Sequence, residues 1–263
     1  MFVISVVQRS FPMLKSILLK AVPVPKIQDF DTYLFIGPHP DDIEVACGAT
    51  VAKLVSLGKK VTFIVCTDGR IGALDESLTS EQIVEIRRQE ALESAKLLGV
   101  DDVVFLPFHD GGEHTAEQLA KALVPHILAT RPQMVFCPDH TVPSECHPDH
   151  LKTGQAVTQA VFLASWPKLT AQLGLSGNVP NINLAYYYTH KPNRYFGIKK
   201  FRKVHLQVIA CHKSQFDEGN LKVFKTYFGV RQLRFGLRSG KGRADGYRVL
   251  SPTHQHCFPE IGE

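Results

Sequence analysis

Two short stretches concentrate side chains that can bind metal and move protons: Pro38-His39-Pro40-Asp41-Asp42 and Glu145-Cys146-His147-Pro148-Asp149-His150. His39 and Asp42 offer one nitrogen and one oxygen ligand three residues apart, and His150 can add a second nitrogen. Two histidines and one carboxylate make a three-ligand set that leaves positions open for water and substrate, as catalytic zinc requires; ferrous iron accepts the same set. Asp41 is badly placed to bind the same ion but can reach a water on it, where a carboxylate serves as general base because the metal has already brought that water's pKa to about 7. His147 can approach from the other side as a donor to a developing oxyanion. Asp149 can hold a histidine ring as an acceptor. Taken singly, each cluster also has a plain structural reading: a turn with a helix cap for the first, and a solvated helix start for the second.

The elements that must bring the clusters together are legible around them. Residues 33–37 form an apolar run that stops at Pro38, the pattern of a strand buried on both faces of a parallel sheet. Prolines on either side of His39 stiffen the loop, and Asp41 or Asp42 can cap the helix expected over 45–57, which closes at Gly58. Further strands are expected at 61–66, 103–106, 134–137 and 185–188. Helices are expected at 79–98, 115–129, 151–164, 201–212 and 221–237, the first two opening with the capping boxes Thr79-x-x-Gln82 and Thr115-x-x-Gln118. Four strands end in polar tails, so the chain reads as an α/β protein with a Rossmann-like, mostly parallel sheet, helices on both faces, and the chemistry gathered at one sheet edge. Asp68 and Asp110 follow strands at that edge and can touch substrate hydroxyls, or simply form turns.

Composition narrows the function. A net charge of +5 over 263 residues, with no long basic tract, gives no support for nucleic-acid binding. The six cysteines are scattered without a CxxC pair, which fits a reducing, cytoplasmic setting; Cys66 and Cys137 lie in strand-like runs as small hydrophobes. Arg9, Lys15 and Lys20 interrupt the apolar N-terminal stretch, so no membrane span is expected there, and Met13 offers an alternative start. The expected organisation is an N-terminal arm over 1–29, one domain over 30–250 and a tail over 251–263. The absence of GxGxxG and GxSxG leaves dinucleotide and serine-hydrolase chemistry without a motif. A metal-dependent phosphoesterase or a non-catalytic sugar-binding protein on the same fold remains an alternative from the residues alone. The basic, aromatic region from Lys222 to Arg248 suits the wall of a site, a subunit interface in a homo-oligomer, or a solvated helix.

The two clusters resemble the zinc-dependent deacetylases of the LmbE and PIG-L family. The resemblance extends over Thr67-Asp68-Gly69, Arg87-x-x-Glu90, Leu97-Leu98-Gly99, Asp110-Gly111, His212-Lys213-Ser214-Gln215 and Ala244-Asp245-Gly246-Tyr247, in the family's order and over about residues 33–250. It implies removal of an acetyl group from a small N-acetylglucosamine-type substrate or conjugate. His39, Asp42 and His150 would be the zinc ligands, Asp41 the general base and then acid, and a protonated His147 the oxyanion stabiliser. Arg87 would help to hold substrate. Ile43 intervenes before Glu44, and Gly48-Ala49 replaces a glycine pair common in the family. The first feature is similar to the branch with bacillithiol-pathway and archaeal chitobiose deacetylases.

Overall fold

The computed structural model describes residues 14–256 together with Phe258 and Ile261. The first thirteen residues of the expected arm, Met13 among them, and most of the tail beyond residue 256 lie outside the described residues. Residues 14–21 are helical. The chain then enters the body of the molecule, where Val24 O and Pro25 O accept hydrogen bonds from Arg194 and Tyr33 Oη donates to Ile27 O.

Seven strands form the sheet: β1 (Thr32–Gly37), β2 (Lys60–Thr67), β3 (Asp102–Phe108), β4 (Met134–Pro138), β5 (Asn183–Tyr187), β6 (Arg194–Gly197) and β7 (Ala244–Leu250), in the order β3-β2-β1-β4-β5-β7-β6. The first five in that order run parallel, and β7 is antiparallel to both of its neighbours. Beyond residue 30 the α-helices among the described residues are α1 (Asp42–Ser56), α2 (Ser80–Leu98), α3 (Ala116–Thr130), α4 (Pro148–Ser165), α5 (Pro167–Gln172), α6 (Arg202–Ile209), α7 (Glu218–Ser239) and α8 (Pro252–Gln255).

β1 shows why a continuous apolar run was needed. Its alternate side chains feed two separate cores, as the period of two dictates. Tyr33 and Phe35 pack with α1 and α6 on one face, while Leu34 and Ile36 pack with α3 and α4 on the other. Phe35 stacks on Phe136 of β4 at 4.2 Å between ring centroids. Cys66 and Cys137 are fully buried in the second core, as expected of small hydrophobes.

The capping boxes of α2 and α3 form as the sequence predicts, with Thr79 and Thr115 accepting from Gln82 N and Gln118 N. Two expectations change. The first helix begins at Asp42 rather than Val45, and Asp41 occupies its N-cap position without making a side-chain cap. The sheet also gains β6 and β7, which are not among the strands expected from the sequence.

Strand order reverses between β1 and β4, since the chain moves from β1 to β2 on one side and returns to β4 on the other. Loops leaving the carboxyl ends of these two strands diverge and leave a crevice. Both polar clusters lie there, one directly after β1 and the other on the connection from β4 to α4.

Candidate metal centre and active site

His39, Asp42 and His150 bring one ligand atom each to within 4.8 Å of one another. His39 Nδ1 stands 3.1 Å from Asp42 Oδ2, and His150 Nε2 stands 3.4 Å from Asp42 Oδ1. Each histidine turns its other nitrogen to a carboxylate. His39 Nε2 lies 3.2 Å from both Asp149 Oδ2 and Asp110 Oδ1, and His150 Nδ1 faces Glu145 Oε2 at 3.3 Å. Such outer carboxylates fix the ring orientation and raise the basicity of the nitrogen left for a metal.

The electrostatics favour positive charge at this point. Burial alone would lower the His39 ring, but hydrogen bonds with Asp110, Asp149 and Asp42 raise it to about 12. Burial would raise Asp42, yet His150 and His39 hold its carboxyl well below the usual range. His150 is raised by Asp42 against its own burial. Two nitrogens and a carboxylate oxygen, aimed at one point and lined with negative charge, fit a divalent cation of the zinc or ferrous type.

Asp41 has φ 152°, a backbone conformation that an L-residue adopts only under constraint. Its carboxylate makes no cap hydrogen bond to the helix. Oδ2 instead lies 3.2 Å from Arg87 Nη2, and the same guanidinium reaches Gly69 O at 2.8 Å and Pro40 O at 3.2 Å. Burial raises the Asp41 carboxyl to about 6, with Arg87 opposing the shift and Asp42 adding to it. Gly69 is required here, since its φ is 69° and a Cβ would stand 2.5 Å from Arg87 Nη1.

His147 is the N-cap of α4, and its Nδ1 accepts from Asp149 N at 3.2 Å. Nδ1 is therefore an acceptor, and a neutral ring carries its proton on Nε2. Partial burial, together with the neighbouring His39 and His150, lowers this ring below the ordinary histidine value. In this tautomer Nε2–H is the donor that the ring can offer to the cavity.

The remaining expected site residues separate. Asp110 lines the cavity and faces His39. Asp149 is fully buried and ties His39 to Gly111 N. Arg87 lines the cavity and bonds Asp41 and two carbonyls through Nη1 and Nη2, leaving Nε without a partner. Asp68 is not among the described lining residues; it braces two loops through Arg70, His109 and Asp110 N.

The cavity over these groups has a volume of about 570 Å³. Its far wall is aromatic, with Phe216 and then Phe224, Tyr227 and Phe228 from α7. The basic, aromatic stretch after Lys222 thus contributes to the site through its aromatic residues. A roomier groove of about 950 Å³ beside Phe162 and Trp166 contains no comparable group of ligands among the described residues.

Several contributing residues were not singled out from sequence. Tyr188 turns out of β5 with φ 55° and stacks on His150, rings 8° apart and centroids 6.0 Å apart. Its hydroxyl lies 3.4 Å from Asp42 O. Glu145 supports His150. His212, wholly buried, stands 3.6 Å from Glu44, which is also held by Ser94. The HKSQ run was the one signal for this group, because Gln215 bonds Gly72 O at 2.6 Å and Ser214 anchors on Glu90.

Comparison with known proteins follows the same residues. A family profile described as "PIG-L: GlcNAc-PI de-N-acetylase" matches residues 34–161. Diacetylchitobiose deacetylase from Thermococcus kodakarensis is 33% identical over 88% of this chain and 87% of its own length. A probable N-acetyl-alpha-D-glucosaminyl L-malate deacetylase 2 from Bacillus cereus is 31% identical over 49% of this chain and 60% of its own. Among solved structures, the N,N'-diacetylchitobiose deacetylase of Pyrococcus horikoshii superposes with a TM-score of 0.84 at 30% identity, covering 96% of each chain. The chain belongs to the PIG-L (LmbE-like) family of de-N-acetylases.

Proposed function

We propose that this protein hydrolyses the acetamide of a neutral N-acetylglucosamine glycoside of the chitobiose type, releasing acetate and the free amine. The observation that carries the reading is the convergence of His39, Asp42 and His150 on one point beside the strained, Arg87-held carboxylate of Asp41. His39, Asp42 and His150 would hold the cation, with zinc the ion best suited to two nitrogens and one oxygen and ferrous iron the alternative. When bound, such a cation lowers the pKa of water and polarises a carbonyl.

The chain's own residues supply the rest. Asp41 removes a proton from the attacking water and returns it to the amine nitrogen as the C–N bond breaks, so one carboxylate serves as base and then acid. Arg87 keeps that carboxylate in place. His147 donates from Nε2–H to the carbonyl oxygen as negative charge develops there. Asp149 and Asp110 orient His39.

The rest of the cavity describes the substrate. Arg87 is the only arginine or lysine among its described lining residues, and its Nη1 and Nη2 are already bonded to Gly69 O, Pro40 O and Asp41. A malate or phosphate group would find no lysine and no second arginine among those residues. The apolar face of a sugar ring would find Phe224, Tyr227 and Phe228. Among the described residues no helix is long and apolar enough to cross a membrane. Cys47, Cys66, Cys137, Cys146 and Cys211 are unpaired thiols, which supports a reducing, cytoplasmic setting.

The test is acetate release by protein reconstituted with zinc, and separately with ferrous iron in the absence of air. Substrates are N-acetylglucosamine, diacetylchitobiose, and the malate and inositol conjugates of N-acetylglucosamine. The expected result is turnover of the neutral sugars, at least tenfold faster than of the malate conjugate. An Asp41→Asn variant should retain its metal and lose nearly all turnover. Acetate from none of the four, or undiminished turnover in the variant, overturns the reading.

A further inference from the structure

β6 closes one edge of the sheet, and two lysines from elsewhere in the chain are fastened to its carbonyls. Lys53 Nζ, on α1, donates to Gly197 O at 2.7 Å and lies 4.0 Å from the centre of the Phe196 ring. Lys241, in the turn after α7, donates to Tyr195 O. Its stem lies along Gly197, where an added Cβ would stand 3.3 Å from Lys241 Cβ. Lys199 and Lys200 are exposed and open the turn that leads into α6, a turn with no acidic residue and no side-chain cap.

Two adjoining pockets share Lys241 and Gln28. The larger, of about 590 Å³, is lined by Lys53, Lys199, Lys200 and Lys241, and the smaller, of about 350 Å³, by Lys26, Arg194 and Lys241. Neither has an aspartate or glutamate among its described lining residues, and none of these cations is in a salt bridge among the described residues. Asp29 acts on Arg194 from outside the pocket. Burial and then the charge of Lys241 lower the Lys53 ammonium, and burial and then Arg194 lower Lys241. Cations held this close repel one another, and an anion among them relieves the repulsion. Lysines on a sheet edge serve in general to keep other strands away. Guarding one strand, however, does not call for cations converging from α1, from the approach to β1 and from the turn after α7.

We infer that this edge binds a small phosphorylated compound carrying two phosphate groups, one against Lys53, Lys199 and Lys200, the other against Lys26 and Arg194, with Lys241 between them. The pocket volumes suit a small molecule rather than the long track of a nucleic acid. The site lies apart from the metal centre. Asp42 opens α1 and Lys53 sits in its last turn, so about 16 Å of helix separates them. Binding there is independent of the acetamide chemistry.

The experiment is isothermal titration calorimetry of the full, zinc-loaded chain with fructose 1,6-bisphosphate at constant ionic strength. Fructose, sulfate, a short DNA duplex and phosphatidylglycerol vesicles are titrated alongside. Wild type is expected to bind one bisphosphate per chain, to give no heat with fructose, and to bind the other anions more weakly. Lys241→Gln and, separately, the double variant Lys199→Gln with Lys200→Gln should each weaken binding about tenfold, as expected for lost charge-assisted hydrogen bonds. Lys168→Gln, on α5, should leave it unchanged. The bisphosphate should also raise the melting temperature of wild type, and do so less in Lys241→Gln. All the variants, checked for native circular dichroism, should match wild type in acetate release. Absence of binding, binding that the edge variants leave unchanged or that Lys168→Gln weakens equally, or tighter binding of DNA, vesicles or sulfate overturns the site and leaves the proposed function standing.

Discussion

Arg87 Nη2 stands 3.2 Å from Asp41 Oδ2, and the remaining bonds of that guanidinium run to Gly69 O and Pro40 O. The arginine therefore joins the loop after β2 to the loop after β1 and holds the strained Asp41 between them. Only 3% of Arg87 is exposed, so its charge is balanced by these partners rather than by water.

Arg87→Met should leave the Asp41 carboxylate without its partner while keeping most of the buried volume. Breaking a buried pair from one side costs about 3 kcal/mol. For a domain of this size that corresponds to a melting temperature lower by roughly 6–12 °C. Turnover should fall at least a hundredfold while zinc content is unchanged, because Asp42 and both histidines are untouched. Melting curves, metal analysis and kcat together check the prediction; a variant with normal kcat would show that Asp41 does not need the arginine.

What the sequence revealed, and what it hid, divides along the range of the interactions. His39, Asp42, His147 and His150 were legible because two short motifs follow strand ends, and Thr79 and Thr115 because a capping box is local. β7 was not legible. Asp245 and Arg248 look like loop residues, yet Asp245 is 1% exposed and held by Thr50 and Gln232, while Arg248 pairs with Asp139. Thr50 and Asp245 are 195 positions apart, so no local pattern could connect them. Tyr188 was missed for the same reason: it stacks on His150 only once the sheet is assembled.

Gly236 should tolerate no side chain. A Cβ there would stand 2.0 Å from Gly242 O, where α7 packs against the turn leading into β7. Backbone on the receiving side cannot move as a side chain would, so Gly236→Ala should cost about 3 kcal/mol. Gly58→Ala is the control: its φ is 72° but nothing lies within 4 Å, and the conformational cost is only about 1–2 kcal/mol. Urea midpoints for the two variants decide the comparison, and equal losses would argue against close packing at Gly236.

His205 should make stability depend on pH. It is fully buried; Nδ1 faces Gln232 Nε2 at 3.1 Å and Nε2 faces Val45 O at 3.1 Å, which suits a neutral ring with its proton on Nε2. Burial lowers its pKa, with Asp245 opposing. The unfolded chain, titrating near 6.5, therefore takes up a proton that the folded chain refuses. The contribution of this group is complete above about pH 6.5 and is lost as pH falls toward the lower folded value. The slope in that window is at most about 1.4 kcal/mol per pH unit. His205→Gln should be less stable at pH 8 but lose less stability than wild type between pH 6.5 and 5. The difference between the two melting profiles is the measurement, and parallel profiles would contradict it.

Tyr227 tests the aromatic wall apart from the chemistry. It lines the cavity on α7, and 54% of it is exposed, so truncation removes a stacking surface without opening the core. It contacts neither Asp41 nor the ligand trio in any hydrogen bond or ring pair. A sugar face packed on such a ring gains about 1–1.5 kcal/mol, equivalent to roughly tenfold in affinity. Tyr227→Ala should accordingly raise KM for diacetylchitobiose about tenfold and leave kcat within about twofold, the signature of binding lost equally from ground and transition states. Tyr227→Phe should restore KM, since the argument uses the ring and not the hydroxyl. A large fall in kcat with KM unchanged would instead place Tyr227 in the transition state and require a polar role for its hydroxyl.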